Sequence, residues 1–417
     1  MSKGRVVVLG GGFGGLETAF DLRLLAGDRA QITLVSDSDH FLFKPNSIYV
    51  PFGMDPEKLK VPLARPAARK DIELIEARAH GIDPDARTVE LDGRSLPYDF
   101  LVVATGADMR AEEIPGLDVH AISPWTPAEM MRLRAGFQGL LGHGAGRPQR
   151  VLFVVPPNNK CSGPLYEIVL MLDTWLRRKK AREGAEITWT TFESSYIQAF
   201  GPRLHEVAAS EFERRGIEGH VDWAVERVEP GAVSYANGAQ REYDLLVAFP
   251  PYVASTPFPG LVADERGFLA TELGSRRLHD HPEIFAVGDA GDFPVKQAFL
   301  AFLQADAVAS HLAAELLGNE PELDFDPVSM CVMEQFDKAT FAQVPLRLTG
   351  DPARPIEVRP DAGGDYRVGS SKLWRAGKKM LGHSVPWRFS RGEPFHGGAF
   401  WRGMDLGLRA MSGVLAK

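Results

Sequence analysis

Two cysteines, Cys161 and Cys331, are the only sulfur nucleophiles in 417 residues. Two thiols in so long a chain make no disulfide framework; they are either inert core thiols or a functional pair. Cys161 opens a turn before an expected helix, Tyr166 to Arg177. A helix N-terminus lowers a thiol pKa and favours the reactive thiolate. Cys331 lies in the apolar, strand-like run Ser329 to Met333, where the commonest fate of a free cysteine is burial in the core. Paired, the two would support thiol–disulfide chemistry: a sulfur nucleophile attacks one sulfur and the other leaves as a thiolate.

A second chemistry stands at the N-terminus. VVVLGGGFGG, Val6 to Gly15, reads as a buried strand, a glycine turn and the start of a helix continuing through Leu16 to Leu25. Gly10, Gly12 and Gly15 fill the G-x-G-x-x-G spacing: tight turn, close approach to a pyrophosphate, and close packing of helix on strand. The phosphates would sit on the positive end of the helix that begins near Phe13, with Gly14 next to it. The next strand, Gln31 to Val35, ends in Ser36 and Asp37 where a dinucleotide site commonly places an acid for the ribose. Ser36 can still bond a hydroxyl, and Asp37 reads equally as a ribose ligand or a turn residue. The loop Asp39 to Asn46, with Lys44, follows that strand end and is expected to line the cofactor site.

Short strands are expected at Ile72 to Ala77 and Thr88 to Leu91. Tyr98 to Gly106 is a buried strand ending in Ala104-Thr105-Gly106, and Ile284 to Asp289 another ending in Gly288-Asp289. The Asp289 carboxylate can accept from a ribityl or ribose hydroxyl. An N-terminal G-x-G-x-x-G, a central ATG and a late GD are the ordered trio of two-dinucleotide-domain flavoproteins, which points to FAD in the first domain. A second unit begins at the strand Arg150 to Val155 and includes Ile187 to Thr191 and Tyr243 to Pro251. Its turn holds Pro156, Pro157 and bulky polar residues instead of glycines, which argues against NAD(P)H as electron donor. With two thiols beside a flavin, electrons from the sulfur exchange could then reduce it.

Composition supports a globular chain, with 44% hydrophobic and 24% charged residues. A net charge of −8 gives no support to a nucleic-acid partner. The start of the sequence shows no secretory signal, and no run of about 18 apolar residues is present to cross a bilayer. Cytosol, or the cytoplasmic face of a membrane, is the expected location. No metal site is expected.

At this point the chain resembles the sulfide:quinone oxidoreductases, with the flavin subunits of flavocytochrome c sulfide dehydrogenase as close kin. The resemblance spans essentially the whole length. It rests on VVLGGGFGG, TLVSDSDHFLFKPN, YDFLVVATG, CSGPLYE, AVGDAGDFPVK and MCVMEQFDKATF. It implies that Cys161 and Cys331 are a redox pair flanking the flavin, that Glu167 is a proton carrier, and that Lys296 lies near the flavin ring and stabilises its anionic reduced form. Three departures stand out. The family's third cysteine is matched by Ser123, which implies noncovalent FAD. A family histidine is matched by Ala199, with His205 six residues on. Gln297 follows Lys296 where many members have threonine.

From Lys372 to Lys417 there are nine Lys/Arg against Glu393 and Asp405. Trp401, Met404, Leu408, Met411 and Leu415 form one helical stripe. A basic, aromatic, amphipathic end suits a membrane interface, whereas a stripe of this kind is also how a helix packs on its own core.

The expected fold is α/β: two Rossmann-like dinucleotide-binding domains, the second inserted in the first, plus a C-terminal region with an amphipathic helix. The divisions are 1–110 with 265–325 for FAD, 111–264 for the insert and 326–417 for the quinone- and membrane-facing region. The expected activity is oxidation of sulfide, or a related thiol or persulfide, with electrons passing to a quinone near Phe341, Trp374 and the tail. Alternatives are a type II NADH:quinone dehydrogenase-like enzyme and a soluble flavoprotein subunit serving a cytochrome. An oligomer is compatible with the sequence.

Overall fold

The computed structural model describes residues 3–142 and 146–416. Val6 to Leu9 are buried because their strand, Gly4–Leu9, is central in a five-stranded parallel sheet. The spatial order is Ile284–Ala286, Phe100–Val103, Gly4–Leu9, Ala30–Ser36, Glu73–Glu76. Alternate residues serve opposite faces: Val6 and Val8 join the core that holds Leu16 and Phe20, and Val7 and Leu9 join the core that holds Ile284 and Leu101. The helix after the glycines spans Phe13–Ala26 and starts at the expected Phe13, with Gly14 and Gly15 in its first turn.

A second parallel sheet runs Ile217–His220, Ala185–Thr191, Gln149–Val155, Leu245–Ala248. Its strands lie between Phe100–Val103 and Ile284–Ala286 in the chain, so the second Rossmann-like unit is inserted in the first. Helices Gly163–Arg178 and Gly201–Arg215 pack into the same large core as this sheet.

Beyond residue 325 the chain forms an antiparallel sheet in which Ala339–Leu348 pairs with Val328–Glu334, Ile356–Val358 and Arg367–Ser371. Two helices follow, Lys372–Phe389 and Gly398–Leu415.

One helix bears on membrane crossing. Among the described residues the helix Ala298–Leu317 is long and apolar enough to span a bilayer by length and composition, despite lacking an unbroken apolar run. It packs against Phe13–Ala26, and 72% of its apolar window is buried inside the protein. Its hydropathy is that of a core helix.

Candidate active site

In an open α/β sheet, ligands bind where the strand order reverses, at the carboxyl ends of the strands. Here that point lies between Gly4–Leu9 and Phe100–Val103, the strands that deliver the glycine turn and Ala104-Thr105-Gly106. Both border a cavity of about 510 Å³. The glycine spacing is enforced by packing as well as by any ligand. Gly10 has φ +114°, and a Cβ on Gly15 would lie 1.9 Å from the carbonyl oxygen of Gly10. Around Gly12, by contrast, the space is open, and this residue caps the helix without any side-chain acceptor. The helix N-terminus therefore faces the cavity as an uncapped, positively polarised end, a fit for a pyrophosphate.

Nearly every expected cofactor residue lines this one cavity: Gly10, Gly12, Phe13, Gly14, Ser36, Asp37, Lys44, Ala104, Thr105, Gly106, Gly288, Asp289 and Lys296. Gly15 does not; it sits behind the turn, where it lets the helix approach the strand. Ser36 is turned into its own loop, donating to the Ser38 carbonyl at 2.8 Å and accepting from the Ser38 N–H. Asp37 is exposed on the rim, with the freer oxygens for a ribose. The donor set is compatible with an FAD: the glycines and helix end could take its phosphates, Asp37 a ribose and Asp289 further hydroxyls.

The four expected catalytic residues line the same cavity. Cys161 comes from the turn after Gln149–Val155. Cys331 comes from the strand Val328–Glu334. Both are free thiols, half-buried and open to the cavity. The expected low thiol pKa of Cys161 is corrected by its surroundings. Burial, followed by the nearby Cys331, pushes it up to about 12, against a lowering contribution from the Gly163 N–H at the helix start. Burial and Glu167 likewise push Cys331 up to about 12. Desolvation outweighs the helix end.

Glu167 is not a free carboxylate. It pairs with Lys378 and accepts from the Glu334 N–H at 3.1 Å. Burial raises its pKa, opposed by that lysine. Lys378, which also donates to the Val332 carbonyl, lines the cavity and escaped sequence reading because it sat among the basic residues of the tail. The one signal for it was its place on an amphipathic helix after the Cys331 segment. Nearby, Glu334 is fully buried and takes Tyr49 Oη and Arg375 Nε at 2.8 Å each.

Lys296 donates to the Gly291 carbonyl and lies 3.7 Å from the centroid of the Phe268 ring. Burial brings its pKa down to about 7, against the pull of Asp289. Lys44 lies 3.4 Å from the Trp125 ring centroid and is lowered by burial to about 8. Ser123 has a buried hydroxyl without a hydrogen-bond partner among the described residues, and lies outside the cavity lining beside Pro124 and Trp125, which are in it. His205 does not replace the histidine matched by Ala199: its Nδ1 accepts the Tyr196 N–H at 2.9 Å and it is not part of the cavity wall.

Phe341 and Trp374 stand behind the cavity wall, packed in one cluster with Leu408 and Trp401, which line it. Their rings stack at 4.0 Å, they are 0% and 1% exposed, and they do not reach the cavity. Apolar walls come instead from Phe299, Phe302, Val332, Leu381, Val385, Phe395, Trp401 and Leu408.

Residues 4–146 match the family model described as pyridine nucleotide-disulphide oxidoreductase. The sulfide-quinone reductase of Aquifex aeolicus strain VF5 is 33% identical over 362 residues, 81% of this chain and 82% of that protein. The chain belongs to the sulfide-quinone reductase family. It is a flavin-dependent oxidoreductase of that type. The mitochondrial sulfide:quinone oxidoreductase of Mus musculus is 22% identical over 371 residues, 85% of this chain and 80% of that one. The X-ray structure of the Aquifex aeolicus sulfide:quinone oxidoreductase superposes with TM-score 0.83 at 23% identity, covering 97% of this chain and 96% of that one. The type II NADH:quinone oxidoreductase NdhA of Mycobacterium tuberculosis is also related, 24% identical over 82% of this chain and 77% of that one.

Proposed function

We propose that this family member oxidises sulfide, or a related thiol or persulfide, through Cys161 and Cys331, and passes the electrons to a quinone. The observation that carries the reading is convergence: thiols 170 positions apart in the chain open into the cavity that also holds the glycine cradle. In the oxidised form the two cysteines are joined by a disulfide or by a bridging sulfur, and for the disulfide the exchange runs as a simple displacement. Hydrosulfide attacks one sulfur, a new S–S bond forms, the old one breaks, and the other cysteine is released as a thiolate. The glycine turn, Asp37, Thr105 and Asp289 would hold a noncovalent FAD, which would supply two-electron transfer between sulfur and quinone. Lys296 provides a cation where negative charge accumulates, and the Glu167–Lys378 pair offers an exchangeable proton beside Cys331. The apolar part of the cavity, from Phe299 to Leu408, suits a quinone.

We further assign 1–110 with 265–325 to FAD binding, 111–264 to a second Rossmann-like domain without a NAD phosphate loop, and 326–417 to the quinone- and membrane-facing region. Peripheral attachment to the cytoplasmic side of the cell membrane is part of this reading, through the last two helices. The NADH reading is disfavoured by Pro156 and Pro157, which fill the second turn where a nucleotide's phosphates would approach.

The test is anaerobic. Sulfide should bleach the flavin of the wild type, fail with Cys161→Ser and Cys331→Ser, and a quinone should restore the colour. Bleaching of all three by NADH, with none by sulfide, would overturn the reading.

A further inference from the structure

Behind the apolar wall lies a polar cluster that the sulfur chemistry does not use. Glu17 and Asp21 come from the helix Phe13–Ala26, Asp306 from Ala298–Leu317, and His396 from the loop between the last two helices. Glu17 is fully buried and accepts the N–H groups of Phe395 and His396 at 2.6 and 2.7 Å, which fastens that loop. His396 Nδ1 and Asp306 Oδ2 share a hydrogen bond at 2.5 Å. The imidazole is 7% exposed, and both its Nε2 and the Asp306 Oδ1 have no partner among the described residues.

The His396 ring contacts Trp401 at 4.1 Å and Phe395 at 5.1 Å, with Phe299 and Phe302 at 5.4 and 5.5 Å between centroids. All four rings line the cavity. The cluster is thus one layer of side chains from the space assigned to quinone.

Charge balance decides what the cluster holds. Two more charged groups act on it, Arg388 from Lys372–Phe389 and Asp405 from Gly398–Leu415. Arg388 is occupied by the carbonyls of Pro394 and Gly397 and by Glu393, and Asp405 by Arg409. Three carboxylates and one imidazole in a buried space cannot all ionise beside one committed cation, so protons stay. Burial, then Asp306, raises Glu17 to about 8 and Asp21 to about 7, while burial holds Asp306 well above the usual carboxylate range and brings His396 down to about 4.

We propose that the Asp306–His396 pair is a proton relay for quinone reduction. The inference rests on the quinone reading above. A quinone takes up two electrons, which the flavin provides, and two protons. One of these comes from His396 Nε2, while Asp306 passes its own proton to Nδ1. The pair ends with an Asp306 carboxylate and a neutral imidazole, and is reloaded from solvent through half-buried Asp21. His396 and Asp306 are positioning residues for that proton.

The experiment uses the reduced, full-length holoenzyme and follows flavin reoxidation by decylubiquinone and by ferricyanide, which accepts electrons without protons. The readout is the ratio of the two rates. In Asp306→Asn it should fall at least about ten-fold between about pH 6 and 8, in Asp306→Glu it should return, and His396→Gln should match the asparagine variant. His396→Gln also decides the matter if Asp306→Asn loses its flavin. An unchanged ratio, or equal slowing by both oxidants, overturns the relay. A wild type reoxidised by ferricyanide and inert to quinone instead overturns the quinone reading itself.

Discussion

A buried charge stays charged only where a partner keeps it so, and the Glu167–Lys378 pair shows the consequence. The two side chains are 6% and 12% exposed. Lys378→Met should cost about 3 kcal/mol in urea denaturation, since it strands a carboxylate, and adding Glu167→Gln should recover much of the loss. Lys296 gives a pH signature with a definite sign. Burial lowers its pKa from 10.5 to about 7, so above pH 7 the native chain has released a proton that the unfolded chain keeps until 10.5. Stability of the flavin-free protein should therefore rise from pH 7 toward 10.5, and Lys296→Met should flatten that part of a melting-temperature profile. The cysteines carry a related lesson. A position before a helix predicts a reactive thiolate, but the apolar cavity wall raises both thiols, so their reactivity depends on the cavity's contents.

At the scale of elements, the first turn separates two uses of glycine. Gly15→Ala drives a methyl into the Gly10 carbonyl and should lower stability by about 1–3 kcal/mol. Gly12→Ala meets nothing within 4 Å, so its melting temperature should hold while FAD retention drops at least about ten-fold, read by flavin absorbance after gel filtration. The last helix corrects its sequence reading. Leu408 is buried, and Trp401, Met404, Met411 and Leu415 pack against the cluster holding Phe341 and Trp374, so the predicted stripe faces the protein. The apolar residues left outward are others: Leu373, Met380 and Trp387, seven apart on one side of Lys372–Phe389, with Phe400, Leu406 and Val414 on the last helix. Changing Leu373, Met380 and Trp387 together to serine should abolish flotation with anionic liposomes at unchanged melting temperature, whereas Leu408→Ser should destabilise the fold.

For the whole molecule, function depends on bringing distant parts of the chain to one place. The first sheet supplies the cradle, the inserted unit supplies Cys161 and Glu167, and the region after residue 325 supplies Cys331 and Lys378. Loss of any one unit should therefore remove sulfide-dependent bleaching rather than diminish it. The helix Ala298–Leu317 links the scales: apolar enough for a bilayer, it is buried by the helix Phe13–Ala26 and carries Asp306 into the polar cluster.

The amino-acid sequence by itself determined the strand–glycine–helix start, the inserted second unit, the missing second phosphate loop and the two cysteines. Each of these rests on local periodicity or on residues whose backbone freedom or chemistry is intrinsic. Tertiary structure alone decided what faces what. It turned Ser36 into its own loop, paired Glu167 with a lysine 211 positions away, buried Phe341 and Trp374, and gathered Glu17, Asp306 and His396 behind the aromatic wall. Burial and pairing across such separations depend on how whole elements pack, and no local pattern of residues encodes that.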